Sequence, residues 1–281
     1  MNYRHAFHAG NFADVFKHVL LTRILVYLTM KDAPLRYLDT HAGTGRYDLF
    51  SSEAQRSGEW REGVGRFGAI TWPVEVAALL APYLRALGPF GAEGAPKIYP
   101  GSPAIAQTLL RSQDRLTLCE AHWQDAKALA KALGRDRRVK AIEIDGWTAL
   151  KAYVPPVERR GLVLIDPPFE SSDEFLRMRE GLNAAYAKWP TGVYALWYPL
   201  KDPRAAHAFC AALVGDGLTH MLRLELTTEA IRTDAPLAGC GLLVVNPPHV
   251  LEAEARALSP ALSEGLARGP GASWLVERIA A

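Results

Sequence analysis

Cysteine is scarce. Cys119, Cys210 and Cys240 are three in 281 residues, scattered with no CxxC pair. That pattern argues against a disulfide framework and a thiolate zinc site, and it fits a reducing compartment. An excess of one charge is also missing. The formal net charge is +2, so the chain as a whole makes no strong electrostatic case for a polyanionic partner. No apolar run reaches the roughly 18 residues of a membrane span, and no charged-then-apolar leader opens the chain. The expectation is a soluble, cytoplasmic protein, without internal repeats or low-complexity tracts. What remains is ordinary globular material, 49% hydrophobic and 22% charged, enough for one large domain or two small ones.

The charges that are present are unevenly placed. Residues 1 to 46 carry Arg4, Lys17, Arg23, Lys31, Arg36 and Arg46 against Asp14, Asp32 and Asp39, with four histidines. A second basic run, Lys131, Arg135, Arg137, Arg138 and Lys140, reads as a solvated helix end and turn. Asn11 is expected to cap a first helix, with Asp14 in its first turn and Phe12, Phe16, Val19, Leu20, Ile24 and Leu28 at helical spacing. A short strand, Arg36 to Asp39, follows. From about residue 48 to 100 the rhythm breaks into Gly, Pro, Trp and Arg, with one helical pattern from Val74 to Leu87. We expect an inserted, mostly helical subdomain within a single domain spanning 1–281, because this stretch is too apolar for disorder. Ser102 then reads as an N-cap, with Pro103 at the first helical position.

The rest alternates regularly. Strands at 116–119, 139–144, 162–165 and 192–197 are separated by helices, among them 121–133, 173–188 and 203–214. Strands near 220–227 and 241–246 form an antiparallel hairpin at one edge. Residues 250–281 read as a polar tail ending in a short strand, Ser273 to Val276. Repeated βα units predict an α/β fold with a mostly parallel, doubly wound sheet.

The most informative stretch is Leu162-Val163-Leu164-Ile165-Asp166-Pro167-Pro168-Phe169. Its four apolar residues predict a buried strand, and open α/β sheets bind ligands at the C-terminal ends of such strands. Two prolines stiffen the backbone and remove two N–H donors, leaving carbonyls free to accept. The exocyclic amine of adenine is a poor nucleophile, because its lone pair is delocalised into the ring. A carboxylate and a carbonyl accepting its two hydrogens favour a pyramidal nitrogen, and an aromatic face such as Phe169 holds the base by stacking. Asp166, Pro167 and Phe169 are therefore the candidate catalytic residues. This is the Asp-Pro-Pro-aromatic signature of methyltransferases acting on exocyclic amines, with S-adenosylmethionine (SAM) as donor and S-adenosylhomocysteine as product.

Other motifs agree. Asp39-Thr40-His41-Ala42-Gly43-Thr44-Gly45 has an acid at a strand end and glycines four and six residues later. That is the spacing of a SAM loop, not of the GxGxxG dinucleotide fingerprint, although His41 stands where a glycine is usual. Glu120, at the end of the next strand, is placed to accept from ribose hydroxyls; the insertion accounts for its distance along the chain. Asp145-Gly146 ends the third strand, where the adenine of the cofactor would be read, though Asp145 is equally a helix cap. Asn246-Pro247-Pro248-His249 imitates the Asp166 motif, but it lies on a late strand away from the cofactor edge and is set aside. His5, His8 and His18 lack carboxylate or thiolate partners at ligand spacing, so no metal is expected.

At this point the chain resembles the ribosomal RNA large subunit methyltransferase J family, whose members make N6-methyladenosine in 23S rRNA. The likeness is carried by Tyr3 to Asn11, Ala13-Asp14-Val15, Lys17-His18, Tyr37 to Gly43, Tyr99 to Pro103, Arg159 to Leu162, Leu164 to Pro168 and Tyr194 to Pro199. It implies a class I, Rossmann-like SAM-dependent methyltransferase acting on 23S rRNA; we expect a monomer without a metal. It also implies SAM contacts from His18, His41, Gly43, Ser102, Glu120, Asp145, Gly146 and Asp166, with Asp166 as catalytic acceptor. Tyr3 would touch the RNA, Arg4 would add to the basic N-terminal grip, and Phe169 stands where the family commonly has tyrosine. The rival readings are an adenine-N6 DNA methyltransferase, a non-catalytic RNA-binding assembly factor and, more weakly, a protein-glutamine methyltransferase.

Overall fold

The computed structural model describes residues 4–232 and 235–279; Tyr3 lies outside the described residues. In chain order the helices and strands are α1 (Phe12–Thr29), β1 (Arg36–Asp39), β2 (Arg46–Asp48), α2 (Ser52–Ser57), α3 (Val64–Phe67), α4 (Val74–Leu87), β3 (Ile98–Pro100), α5 (Ser102–Leu109), β4 (Arg115–Glu120) and α6 (Trp123–Leu133). They continue with β5 (Val139–Glu143), α7 (Gly146–Tyr153), β6 (Gly161–Ile165), α8 (Glu174–Lys188), β7 (Val193–Pro199), α9 (Pro203–Gly215), β8 (Met221–Thr227), β9 (Gly239–Val245), α10 (Leu251–Leu266) and β10 (Ser273–Ile279).

Eight strands form one sheet in the order β5-β4-β1-β6-β7-β9-β8-β10. The first five in that order run parallel, and β9 runs antiparallel to both β7 and β8. Chain order reverses at β1, with β4 on one side and β6 on the other, so a crevice opens above their C-terminal ends. This is the mostly parallel, doubly wound α/β sheet that the repeated βα units predict. The expected edge hairpin needs correction. β9 is inserted between β7 and β8, and the edge itself is β10, antiparallel to β8.

α1 is the central helix. Fourteen of its 18 residues are buried, as a helix apolar nearly all round requires. Asn11 caps it, accepting from the Asp14 amide at 2.9 Å. The Asp14 carboxylate reaches back to the Gly10 N–H, also at 2.9 Å. The helix packs in one apolar cluster with residues of α4, α5 and α10.

Between 48 and 100 the chain forms α2, a 3-10 turn (Glu59–Glu62), α3 and α4, framed by the antiparallel β2–β3 pair. Trp60, Val64, Phe67 and Tyr83 are buried in the same cluster as α1. Gly63-Val64-Gly65-Arg66-Phe67-Gly68 spells GxGxxG by letters, but it follows a 3-10 turn and no strand, so it lacks the context of a dinucleotide loop.

Two local expectations fail for identifiable reasons. Ser102 is the first residue of α5, not its cap, which is Gly101. Its hydroxyl donates instead to the buried Asp39 Oδ2 at 2.7 Å, because a buried carboxylate needs donors more than a helix end needs an acceptor. The polar tail is also a helix and a full strand. Leu251, Ala255, Leu258, Leu262 and Leu266 are buried along α10, and Glu254 pins it to α1 through two hydrogen bonds from Arg23, at 2.6 and 2.8 Å. Pro260 within the stripe masks its period. No helix among the described residues is long and apolar enough to cross a membrane.

Candidate active site

A cavity of about 710 Å³ lies at the C-terminal ends of the parallel strands, within the ~300–1,000 Å³ typical of small-molecule sites. His18, His41, Gly43, Ser102, Glu120, Asp166, Pro167 and Phe169 all line it. Asp145, Gly146 and Arg4 are not on its wall. The Asp145 carboxylate caps α7 by accepting from the Thr148 N–H at 2.8 Å. Arg4 is exposed and pairs with Asp125 at 3.7 Å, and it is Asp125 that reaches the cavity.

The cofactor-loop end is built on close backbone approaches. Gly43 has φ +59°, and a Cβ there would lie 2.0 Å from the Tyr47 hydroxyl. Its N–H donates to Glu120 Oε2 at 2.8 Å, and the His122 N–H donates to Oε1 at 2.8 Å. Glu120 therefore locks the loop to β4 while its remaining lone pairs face the cavity. Burial raises its carboxyl. Gly146 acts from behind the wall: a Cβ would meet the Thr40 carbonyl at 2.5 Å and the His41 ring at 2.7 Å. Burial pulls His41 down to about 4, so its ring is neutral at physiological pH. Below them, burial pushes Asp39 up to about 6, against donors from Tyr37 and Ser102 at 2.7 Å each.

The chemistry-bearing end centres on a residue the sequence reading passed over. Lys17, only 4% exposed, places Nζ 2.6 Å from Asp166 Oδ2 and 2.9 Å from Asp14 Oδ1. Burial opposes the ammonium, but Asp14 and Asp166 outweigh it and hold Lys17 charged. Burial likewise opposes the Asp14 carboxylate, and the Lys17 ammonium and the His5 ring beside it hold it ionised. With Lys17 on Oδ2, Asp166 Oδ1 receives no hydrogen bond among the described residues and is open to a donor in the cavity. Phe169 follows Pro167 and Pro168 with φ +51°, a backbone strain of the kind that clusters at functional sites. Its ring packs edge-on against Phe175 and Trp197, with centroids 5.0 and 6.0 Å away.

His18 joins the two ends. Its Nδ1 pairs with the Tyr99 hydroxyl at 2.7 Å, and that hydroxyl meets Tyr83 at 3.1 Å. Its Nε2 is buried without a partner among the described residues. Burial lowers its pKa to about 3. A neutral histidine in the fold that becomes charged in the unfolded chain destabilises the fold as pH falls. The penalty begins below about 6.5 and grows toward about 3. His18 should therefore remove about 1.4 kcal/mol of stability per pH unit across that window. Urea unfolding at pH 7 and pH 5 checks this; in His18→Gln the loss of stability between the two should be smaller by about 2 kcal/mol.

Lys201, Trp197 and Arg268 also line the cavity and were not anticipated. The one available signal was Lys17 itself, a lysine inside an apolar helical run, which is rarely buried unless paired. Asn246, set aside as an active-site candidate, is not on the cavity wall, and its amide donates to the carbonyls of Pro190 and Gly192 at 2.8 Å each.

A family model described as ribosomal RNA large subunit methyltransferase D, RlmJ, matches residues 32–279. A protein of Escherichia coli strain K12 named ribosomal RNA large subunit methyltransferase J is 40% identical over 280 residues, covering 98% of this chain and 99% of that protein. A protein of the same name from Haemophilus influenzae is 38% identical over 279 residues, covering 99% of each. The crystal structure of a Legionella pneumophila protein superposes with a TM-score of 0.86 at 35% identity, covering 96% of this chain and 98% of that one. The chain thus belongs to the family of ribosomal RNA large subunit methyltransferase D, RlmJ.

Proposed function

We propose that this protein transfers a methyl group from SAM to the exocyclic N6 of a specific adenine in 23S rRNA. The observation that carries the reading is the Asp166 carboxylate, held by Lys17 through one oxygen and open at the other, beside Phe169 at one end of a nucleotide-sized cavity.

The residues present fit SAM. Glu120 offers buried acceptor lone pairs for ribose hydroxyls, the His18 Nε2 is buried without a partner among the described residues and, in the tautomer that carries its hydrogen there, would donate to a carboxylate, and Gly43 keeps the loop backbone clear of bulk. When bound, SAM supplies an electrophilic methyl on a sulfonium. The rest is positioning by the chain. Phe169 stacks on the base, which must leave its duplex or loop stack to reach it. Asp166 Oδ1 accepts one amine hydrogen, the carbonyl of Pro167 accepts the other, and the nitrogen lone pair localises toward the methyl. Asp166 takes the proton as the N–C bond forms. Lys17 fixes Asp166 in direction through the 2.6 Å contact to Oδ2, which is where most of the rate should arise. Asp145 and Gly146 serve the adenine of the cofactor from behind His41. Tyr3, Arg4 and residues 48–100, the last as an inserted unit, supply RNA grip that weakens with salt. The protein works as a cytoplasmic monomer.

A competition assay tests the substrate class. Labelled SAM is offered with 23S rRNA, 16S rRNA and duplex DNA together. Label should enter 23S rRNA alone. Label in DNA would favour the DNA enzyme, and tight SAM binding with no transfer to any of them would favour the assembly factor.

A further inference from the structure

A second cavity, about 250 Å³, adjoins the first, and Phe169, Pro199 and Lys201 line both. It lies between the start of α8 and the start of α9, where Glu174 and Phe175 also face it. Its volume falls below the ~300–1,000 Å³ of pockets for whole drug-sized ligands and suits a single nucleobase.

Glu174 sets its chemistry. The residue is 3% exposed, and its Oε1 accepts no hydrogen bond among the described residues. Arg177 Nη1 stands 3.5 Å from it. Burial pushes the carboxyl up, with Arg177 pulling the other way. A place in the first turn of a helix explains an acid there, but not a buried acceptor on a cavity wall that has a 3.5 Å ion-pair contact with Arg177 and no hydrogen bond among the described residues, which is costly to keep. Of the other walls, Ser171 and Ser172 are exposed polar residues at the rim. Phe169 and Phe175 offer aromatic surface, with centroids 5.0 Å apart at 72°, and Asp202 caps α9 by accepting from the Arg204 N–H at 2.9 Å. Among the described residues Lys201 is the one cation on both cavities, where a single phosphate could join an occupant of one to an occupant of the other.

We propose that the second cavity receives the nucleobase next to the target adenine, that Glu174 accepts a hydrogen bond from that base's exocyclic amine, and that Lys201 holds the intervening phosphate. This rests on the RNA reading above. Guanine, cytosine and adenine carry such an amine. Uracil offers carbonyl oxygens in its place and is disfavoured beside a carboxylate.

The test uses RNA oligonucleotides containing the methylated adenine. Each neighbour in turn is replaced by its counterpart lacking the amine: hypoxanthine for guanine, uracil for cytosine, purine for adenine. For one neighbour, kcat/KM of the wild type should fall roughly 5- to 100-fold. In Glu174→Leu that ratio should collapse toward one. Glu174→Gln, which still accepts through its carbonyl, should keep part of it. A purely structural Glu174 would alter the melting temperature without altering the ratio between RNAs. Lys201→Ala should lower kcat/KM on every RNA alike. Methylation by the wild type that is indifferent to both neighbours overturns the proposal, as does discrimination that persists in Glu174→Leu. If the wild type methylates no RNA at all, the RNA reading falls first and this one with it.

Discussion

Lys17→Met should lower folding stability by about 3–5 kcal/mol, the cost of breaking a buried ion pair from one side. Lys17 is 4% exposed and Asp14 2% exposed, and the ammonium lies within 2.9 Å of Asp14 Oδ1 and 2.6 Å of Asp166 Oδ2. Methionine fills the space but leaves two carboxylates facing each other, with the His5 ring and the Gly10 N–H, each at 2.9 Å, the remaining partners of Asp14 among the described residues. An exposed pair would be worth only about 0–1 kcal/mol, so urea unfolding separates the two cases. Adding Asp166→Asn to Lys17→Met should recover part of the loss, since one uncompensated charge is gone. A coupling of about 0.5–3 kcal/mol in that double-mutant cycle would mark the contact as direct. A loss under about 1 kcal/mol in the single variant would mean that the lysine is solvated and Asp166 is not held by it.

Asp166→Asn should reduce the rate of methyl transfer by about 10²–10⁴-fold at saturating SAM and RNA, the range for a positioned acid–base group. The amide turns one face into a donor, which repels the amine hydrogens and cannot take a proton. Because the interaction strengthens as the nitrogen becomes pyramidal, the loss should fall on kcat more than on KM. Single-turnover kinetics, with SAM affinity measured by calorimetry alongside, reads both. A variant that keeps kcat but binds SAM more than tenfold weaker would move Asp166 from the chemistry to the cofactor.

The sequence announces the sheet more clearly than the site. Leu162 to Ile165 reads as a strand because a short apolar run closed by Asp166 and two prolines can be little else, and the strand ends at Asp39, Glu120 and Asp166 follow from the same rule. Local signals fail where the partner is distant. Lys17 and Asp166 are 149 positions apart, and no pattern within α1 says which acid its lysine meets. Ser102 carries the local signature of a cap, yet its hydroxyl goes to Asp39, 63 positions away. Asp145 shows the opposite case, where the local cap takes the carboxylate and leaves the cavity wall to His41. The amphipathic face of α10 was written in its leucines, but small residues and Pro260 diluted the period. The second cavity had no sequence signal, since Glu174 reads as an ordinary acid at a helix start until its burial is known.

The most direct measurement takes deproteinised 23S rRNA from cells lacking this protein. It is incubated with SAM and either wild type or Asp166→Ala, then digested to nucleosides and analysed by mass spectrometry. The account predicts close to one N6-methyladenosine per rRNA with the wild type and none above background with the variant. Methyl groups on another base or on ribose, or N6-methyladenosine formed equally by both proteins, would contradict it.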